Sequence, residues 1–446
     1  MAILEIINFY NQIGEKIITW YISINRPILD FIHITSDKVF NAILLLTIFL
    51  SIFFMTISMM AIMTKKKKNE YVFIKEKAQF VTIQIPTYNE LAALNCAKKC
   101  LAMDYPKDKF EIIIGDDSNN PEISKQIDEF AKKYEKITIT RRGNNEGYKP
   151  GNLNHMLKYT KGDIIVIFDS DFLPDKKFLK KIVAPFQHDE NIGGVQARWE
   201  ITNAKQNKTS LLGGIIVLGF HHVYLPFMKK IGNISFLCGS AEAVRKDLLI
   251  ERGGWTSGSL TEDIEYSIRL INDGYRIHYL EDYSCGGEAP YKKKDLYKQQ
   301  MRWAYGVTKS IITHAPKFTK NKNLPAKTKF LIYFQGIGYF FSFLILALFV
   351  TGTISFLSHA PAPINIPEFM TDMAKNILLS SGILIATIVG LYKSGLEKKT
   401  FKALAASFTI GLVVVMYVNI GVYKAITKKP MKWFMLSKVG NQKKQS

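Results

Sequence analysis

The sequence predicts an α/β domain built on a mostly parallel sheet and set between membrane-crossing helices. Across residues 71–283, short apolar runs of strand length alternate with stretches of helical periodicity. That alternation is the pattern of a parallel sheet covered by helices. Uncharged apolar runs flank the region, at 40–63 before it and at 330–357, 377–392 and 403–423 after it. Carboxylates cluster directly after strand-like runs, where open α/β sheets bind their ligands.

Taken in order, residues 1–35 mix apolar side chains with Glu5, Glu15, Lys16, Arg26 and Asp30. That composition predicts an amphipathic segment lying at the membrane interface, not a cleaved leader. Residues 36–64 form the first membrane helix, because 40–63 is uncharged and long enough to cross. Lys65-Lys66-Lys67-Lys68 follows at once and places the next domain in the cytoplasm, under a plasma (inner) membrane crossed several times.

Residues 70–290 make the cytosolic domain, with strands at 80–85, 110–114, 137–140, 163–168 and 194–199 and helices at 122–134 and 152–159. Interfacial helices fill 291–327. Three membrane segments occupy 328–426, and a basic tail runs from 427 to 446. The connection at 358–368 holds Pro361, Pro363 and Pro367 with no Lys or Arg, so it reads as external, whereas 393–402 reads as internal. Four crossings would leave the tail outside, yet its lysines favour the inside.

The formal net charge is +21, which suits anionic lipid or diphosphate partners. No nucleic-acid-binding signature is present. The four cysteines form no C-x-x-C pair and no zinc spacing, in keeping with a reduced compartment.

The chemistry is carried by an ordered series of motifs. Asp169-Ser170-Asp171 follows Ile164-Ile165-Val166-Ile167-Phe168. Two carboxylates delivered by a strand end can hold Mg²⁺ or Mn²⁺ against a diphosphate. Asp116-Asp117 ends another strand and can accept a hydrogen bond from a base ring N–H. Lys149 sits between Gly147 and Gly151 before a helix, which suits close approach to a diphosphate. Thr261-Glu262-Asp263 opens a helix with Thr261 at the N-cap, and Asp263 is placed to take a proton from an acceptor hydroxyl. Gln299, Arg302 and Trp303 share a helix over 292–314. There Arg302 can clamp a diphosphate and Trp303 can stack on a sugar ring.

Together these residues resemble the membrane-integrated processive family-2 glycosyltransferases, which include the synthases of cellulose, chitin, hyaluronan and mannan. The first-strand segment Ile85-Pro86-Thr87-Tyr88-Asn89-Glu90 and the Q-x-x-R-W motif starting at Gln299 carry that resemblance. Phe168-Asp169-Ser170-Asp171-Phe172, Val195-Gln196-Ala197-Arg198-Trp199 and Leu260-Thr261-Glu262-Asp263-Ile264 are similar to segments of the cellulose-synthase-like group, which includes glucomannan synthases.

The resemblance implies a Rossmann-like nucleotide-diphospho-sugar domain inserted between membrane helices. It implies that Thr87, Asn89, Glu90, Asp116, Asp117, Lys149, Asp169, Gln299 and Arg302 bind the donor. Asp169 and Asp171 would hold the metal. Glu262 and Asp171 would join Asp263, the base, in catalysis, and Cys238, Gly239 and Trp303 would meet the acceptor. Two segments depart from the glucomannan group: Cys238-Gly239-Ser240-Ala241-Glu242 stands for N-G-T-A-G, and Gly287-Glu288-Ala289-Pro290 for A-E-L-P.

The expectation is an inverting, metal-dependent enzyme that polymerises a β-linked polysaccharide from UDP-glucose or GDP-mannose and passes it across the membrane. Its partners would be the nucleotide-sugar donor, the growing polysaccharide or a lipid acceptor, and membrane lipids. Transfer of one sugar to a lipid is the alternative, and a sugar-nucleotide-binding scaffold is the non-enzymatic one.

Overall fold

A computed structural model describes residues 2–63, 71–359 and 365–438. The lysine run at Lys65–Lys68 and the stretch 360–364 of the proline loop lie outside the described residues. The chain divides into two compact units, Met1–Phe53 with Phe340–Gly382, and Phe54–Tyr339 with Ile383–Ser446.

The second unit holds a sheet of seven strands: β1 (Val81–Thr87), β2 (Phe110–Asp116), β3 (Ile137–Thr140), β4 (Ile164–Ile167), β5 (Ile192–Ile201), β6 (Glu242–Arg245) and β7 (Arg276–Gly287). Their order across the sheet is β3-β2-β1-β4-β6-β5-β7. The first four run parallel, and β5 runs parallel to β7. Only β6 is antiparallel to both its neighbours. The sequence patterns anticipated β1 to β5. They did not mark β6, which is four residues long and starts on the buried acid Glu242, or β7, which carries His278, Glu281 and Asp282.

Strands β1, β2 and β4 are buried on both faces, as central parallel strands must be. Helices α2 (Ala92–Leu101), α3 (Pro121–Ala131), α4 (Tyr148–Leu157) and α5 (Phe178–His188) follow β1 to β4 in alternation. Helix α3 starts where Asn120 accepts the Glu122 amide and Pro121 takes the first helical position. Phe168, fully buried, lies 4.8 Å from the Phe178 ring at the centre of this core. Phe168→Ala should therefore cost about 3–5 kcal/mol, measured as a fall in the denaturant midpoint at unchanged slope.

Helices α6 (Lys208–Gly219) and α7 (Leu225–Gly232) are joined by a π-turn at Phe220–Tyr224, followed by α8 (Lys246–Glu251) and α9 (Glu262–Asn272). Asn207 and Ser210 cap α6 reciprocally. Beyond the sheet run α10 (Lys293–Lys320), α11 (Ala326–Phe334), α12 (Ile337–Ser358), α13 (Ile366–Ser380), α14 (Gly382–Lys393), α15 (Thr400–Ser407) and α16 (Ile410–Ile426). Helix α16 lies along α10. A Cβ on Gly421 would meet the Met301 carbonyl at 2.4 Å, so only glycine allows that approach. Leu211, Leu296, Ala304, Ala406 and Val414 make the shared apolar seam of α6, α10, α15 and α16.

Ahead of the sheet, α1 (Ala2–Met63) runs unbroken through Pro27. The expected change from interfacial to spanning segment at 35/36 is not marked by any break. By length and composition, Arg26–Met63, Lys208–Gly232 and Ile337–Ser358 are each enough to cross a membrane. Of these, Lys208–Gly232 is largely buried within the protein. Helices α13–α14 and α15–α16 are bent pairs, at 59° and 62°, that qualify only when each is counted as one span. Within the first unit, Ser51 Oγ accepts the Gly382 amide, and His33 Nδ1 lies 3.0 Å from the Ser355 carbonyl.

Candidate active site

Three adjacent parallel strands must end on one edge of the sheet. Register puts Thr87 beside Asp116 and Gln84 beside Ile167. The residues after those ends, Tyr88–Glu90, Asp117 and Asp169–Asp171, therefore converge. Strand β6 enters from this same edge because it is antiparallel, with Glu242 opposite Ile167. The turn before it, Cys238-Gly239-Ser240, is thereby laid against Asp169, whose amide donates to Ser240 Oγ at 2.9 Å.

Strand β5 fixes that turn. Gln196 Oε1 accepts the Cys238 amide at 2.7 Å, and Gln196 Nε2 and Trp199 Nε1 donate to the Ser240 carbonyl at 3.0 and 2.9 Å. Glu242 Oε2 accepts the Cys238 and Gly239 amides at 3.0 and 2.7 Å. Gly239 adopts φ +85°, and a Cβ there would lie 3.2 Å from Asp263 Oδ2 and 3.4 Å from Lys149 Nζ. The position needs glycine twice over, for its backbone and for space.

The result is a cavity lined by Thr87, Glu90, Asp117, Lys149, Asp169, Asp171, Cys238, Gly239, Glu262, Asp263, Gln299, Arg302 and Trp303. Two of the sequence-predicted residues do not line it. Asn89 is turned to Ser118, Asn119 and Asn120, bracing the β2–α3 loop. Asp116 is buried beneath the cavity, bonded to Ser118, Ser124 and Arg141. Burial would raise its carboxyl, but those three partners hold it below the usual range. Asp117 is gripped by Arg142 through both oxygens, yet burial outweighs that partner and pushes its carboxyl up.

Lys149 is the positive centre. It lies in the first turn of α4 behind Gly147, which takes φ +66°. Its Nζ lies 2.8 Å from Asp169 Oδ1 and 3.3 Å from Glu262 Oε1 and donates to the Gly239 carbonyl. Burial would lift the Asp169 carboxyl, but Lys149, Lys438 and Arg302 together hold it low, so it stays ionised. Asp263 behaves oppositely. Burial first, and the Glu262 charge second, push it up to about 7. Glu242 behind it rises to about 8, through burial and the Asp263 charge. One carboxylate kept as an anion and one poised near neutrality is how acid–base sites divide their roles.

Thr261 occupies the N-cap position, but its hydroxyl makes no capping bond. It faces Ser310 Oγ at 3.5 Å on α10. Helix α10 presents Gln299, Arg302 and Trp303 on one face, as spacing of three and four residues requires. Arg302 donates to the Leu260 carbonyl at 3.0 Å, tying α10 to the segment before α9.

The sequence did not single out the tail as part of this site. After α16 the chain folds over the cavity, which Trp433, Phe434, Leu436, Ser437 and Lys438 also line. The Ser437 amide donates to Asp295 Oδ2 at 3.0 Å, and Trp433 stacks on Tyr148 at 6.2 Å. Lys438 Nζ lies 2.8 Å from Asp171 Oδ1, 3.1 Å from Glu90 Oε2 and 2.8 Å from Ser170 Oγ. The aromatic pair Trp433-Phe434 inside a lysine-rich stretch was the available signal. Lysines near a membrane helix read by default as lipid-facing. The tail thus shares the cavity with the strand ends.

No group of three or more His, Cys, Asp or Glu side chains placed to hold a metal is present among the described residues. Asp169 and Asp171, two hard oxygen donors that both line the cavity, are the residues that would hold a divalent cation here. A lysine ammonium already rests against each of them.

Residues 78–306 match the family described as "Glycosyltransferase like family 2". The chain is 28% identical over 330 residues to glucomannan 4-beta-mannosyltransferase 7 of Arabidopsis thaliana, covering 70% of this chain and 57% of that protein. It is 30% identical over 264 residues to a beta-monoglucosyldiacylglycerol synthase of Nostoc, covering 59% and 56%. The chain therefore spans little more than half the length of these curated relatives. A mannosyltransferase from Pyrobaculum calidifontis, solved in complex with GDP-Man and Mn²⁺, shares the fold at a TM-score of 0.59 and 17% identity, over 90% of this chain and all of that one.

Proposed function

The chain belongs to glycosyltransferase family 2, and from that premise we propose that it transfers a hexose from a nucleotide-diphosphate sugar, with inversion, onto a growing β-linked glycan at a membrane. The observation that carries this reading is the sharing of one cavity by a near-neutral buried carboxylate, Asp263, and an ionised one, Asp169, beside Lys149.

Asp117, gripped by Arg142 and backed by Asp116 buried beneath the cavity, forms the nucleoside end. Lys149 and Arg302 bracket the diphosphate, and Gln299 fixes its orientation. Asp263 takes the proton of the acceptor hydroxyl as that oxygen attacks the sugar carbon from the face opposite the leaving diphosphate. Glu262 holds Lys149 in place through its ion pair. Trp303 and the Cys238–Gly239 turn receive the acceptor end. Asp169 and Asp171 would hold Mg²⁺ or Mn²⁺, which when bound supplies charge for the diphosphate oxygens.

Helices α1 and α12 and the bent pairs anchor the enzyme. Three crossings after the sheet would put the tail on the far side, so one bent pair turns back without crossing. In this reading the sheet and tail face the cytoplasm, under the inner membrane. The polysaccharide relative favours a polymer and the Nostoc relative a glycolipid. Mass analysis of product from purified protein given UDP-glucose or GDP-mannose separates them. Trp303→Ala should preserve donor hydrolysis but abolish long product. Polymer of unchanged length would remove Trp303 from the acceptor platform. A wild-type product with one sugar on lipid would end the polymer reading.

Activity should require Mg²⁺ or Mn²⁺ and disappear in chelator. Lys438 competes with such a cation for Asp171, since both cannot sit on the same oxygen. Lys438→Ala should therefore lower the Mn²⁺ concentration needed for half-maximal activation about three- to tenfold. An increase instead would make Lys438 a donor ligand and not a competitor.

A further inference from the structure

Between Asp295 and Glu368 the chain holds no acidic residue. Within that stretch stand Lys309, Lys317, Lys320, Lys322, Lys327 and Lys329, on the second half of α10, the link that follows it and the start of α11. All but Lys329 are exposed. Asp273, 3.6 Å from Lys317 Nζ, is the one carboxylate within ion-pair reach of any of them among the described residues. Arg252 already holds that acid at 2.9 Å. Glu265, the other acid facing this half of α10, is taken by His314 and Arg269. Lys309 lies over the Tyr305 ring and Lys329 donates to the Thr319 carbonyl, both neutral partners. The lysines therefore present a net positive face.

Apolar side chains are set among them. Ile312, Phe330 and Tyr333 are 47, 53 and 45% exposed. On α10, helical spacing turns Lys309, Ile312, Pro316 and Lys320 outward, while Ile311 and Phe318 are buried beneath. The two helices form one surface. The Phe318 and Tyr333 rings meet at 4.9 Å, Thr319 Oγ1 lies 2.7 Å from the Tyr333 hydroxyl, and Lys329 Nζ is 2.8 Å from the Thr319 carbonyl. Asn321 donates to the Asn272 carbonyl at 2.8 Å, which fixes this surface to the end of α9.

Position and chemistry select the partner. Helix α11 ends at Phe334, and α12, long and apolar enough to cross a membrane, starts at Ile337. At most ~15 Å of chain separates Tyr333 from Ile337. The lysine face thus sits at the level where hydrocarbon gives way to headgroups. A soluble polyanion would satisfy the lysines but leave Ile312, Phe330 and Tyr333 in water. A headgroup layer takes both, because its phosphates meet the ammonium groups and its acyl boundary receives the apolar side chains.

We propose that the lysine face of α10 and α11 docks on the anionic lipid headgroups of the leaflet from which α12 enters the membrane. Helix α10 then carries cavity-lining side chains at its start and a lipid anchor at its end. The inference rests on α12 as a crossing helix and is independent of the sugar chemistry.

Full-length protein is placed in nanodiscs of equal phosphatidylcholine and phosphatidylglycerol, and the lipid it retains on release is counted by native mass spectrometry. At low ionic strength wild type should hold phosphatidylglycerol over phosphatidylcholine about tenfold. Most of that preference should vanish at about 1 M salt, where charges are screened within ~3 Å. Lys320→Gln, Lys322→Gln and Lys327→Gln together should bring the ratio to about even, at unchanged melting temperature. Lys125→Gln, Lys132→Gln and Lys133→Gln together remove equal charge from exposed positions on and just after α3 and should change nothing. Polyglutamate at matched charge should leave the retained lipid unchanged. Its displacing the lipid would give the surface to an acidic protein and overturn the proposal. So would a wild-type ratio near one, a preference unmoved by salt, a preference kept in the Lys320/Lys322/Lys327 variant, or an equal loss in the α3 control.

Discussion

Asp263→Asn should lower turnover by about two to four orders of magnitude while leaving donor affinity near that of wild type. Asn keeps the size of the side chain at the start of α9 but cannot accept a proton. The wild-type carboxyl is held up at about 7 by burial and by Glu262. As the proposed base it must be ionised to work, so kcat/KM should rise with pH up to about 7 and level off above it. Below that pH, kcat/KM should fall about tenfold per unit, because the base is then increasingly protonated. The variant should lose this limb as well as the rate. Retained turnover, or a limb unchanged in Asp263→Asn, would transfer the base role to another group, with Glu242, at about 8, the nearest alternative.

Lys149→Met should reduce kcat/KM by about a hundred- to a thousandfold. The lysine is the cation common to Asp169, Glu262 and the Gly239 carbonyl. Without it, Asp169, Glu262, Glu242 and Asp263 face one another with less compensation. A further readout separates this from simple loss of fold. Lys149 helps to hold the Asp263 carboxyl down against its burial, so in Lys149→Met the acidic limb should move to higher pH. A purely structural lysine would lower yield and leave the limb where it is. Lys149→Arg should recover charge but only part of the rate, since a planar fork does not occupy the point between three oxygens that an ammonium fills.

The sequence by itself determined the α/β alternation, because the period of the apolar residues states which face of each element is buried. It also determined which strand ends deliver carboxylates to the cavity. A carboxylate directly after a buried run has one place to go, the edge of the sheet, and Asp117, Asp169 and Asp171 are all found there. The spacing of Gln299, Arg302 and Trp303 fixed their common face on α10, since three- and four-residue intervals close one helical turn.

Other features depended on pairings distant in sequence, which no local pattern encodes. Strand β6 is short and begins with Glu242, and only its antiparallel insertion between β4 and β5 brings Cys238–Ser240 beside Asp169. Asp116 and Asp117 are adjacent in sequence, yet the pleat sends one beneath the cavity and the other into it. Asn89 belongs to the first-strand motif but is spent on the neighbouring loop. The tail was legible only as basic. Its place over Asp171 and Glu90 follows from α16 lying along α10, an approach set by the bare backbone at Gly421, where a side chain would collide with Met301. Local periodicity tells which way a residue faces, and tertiary contact alone decides what it faces.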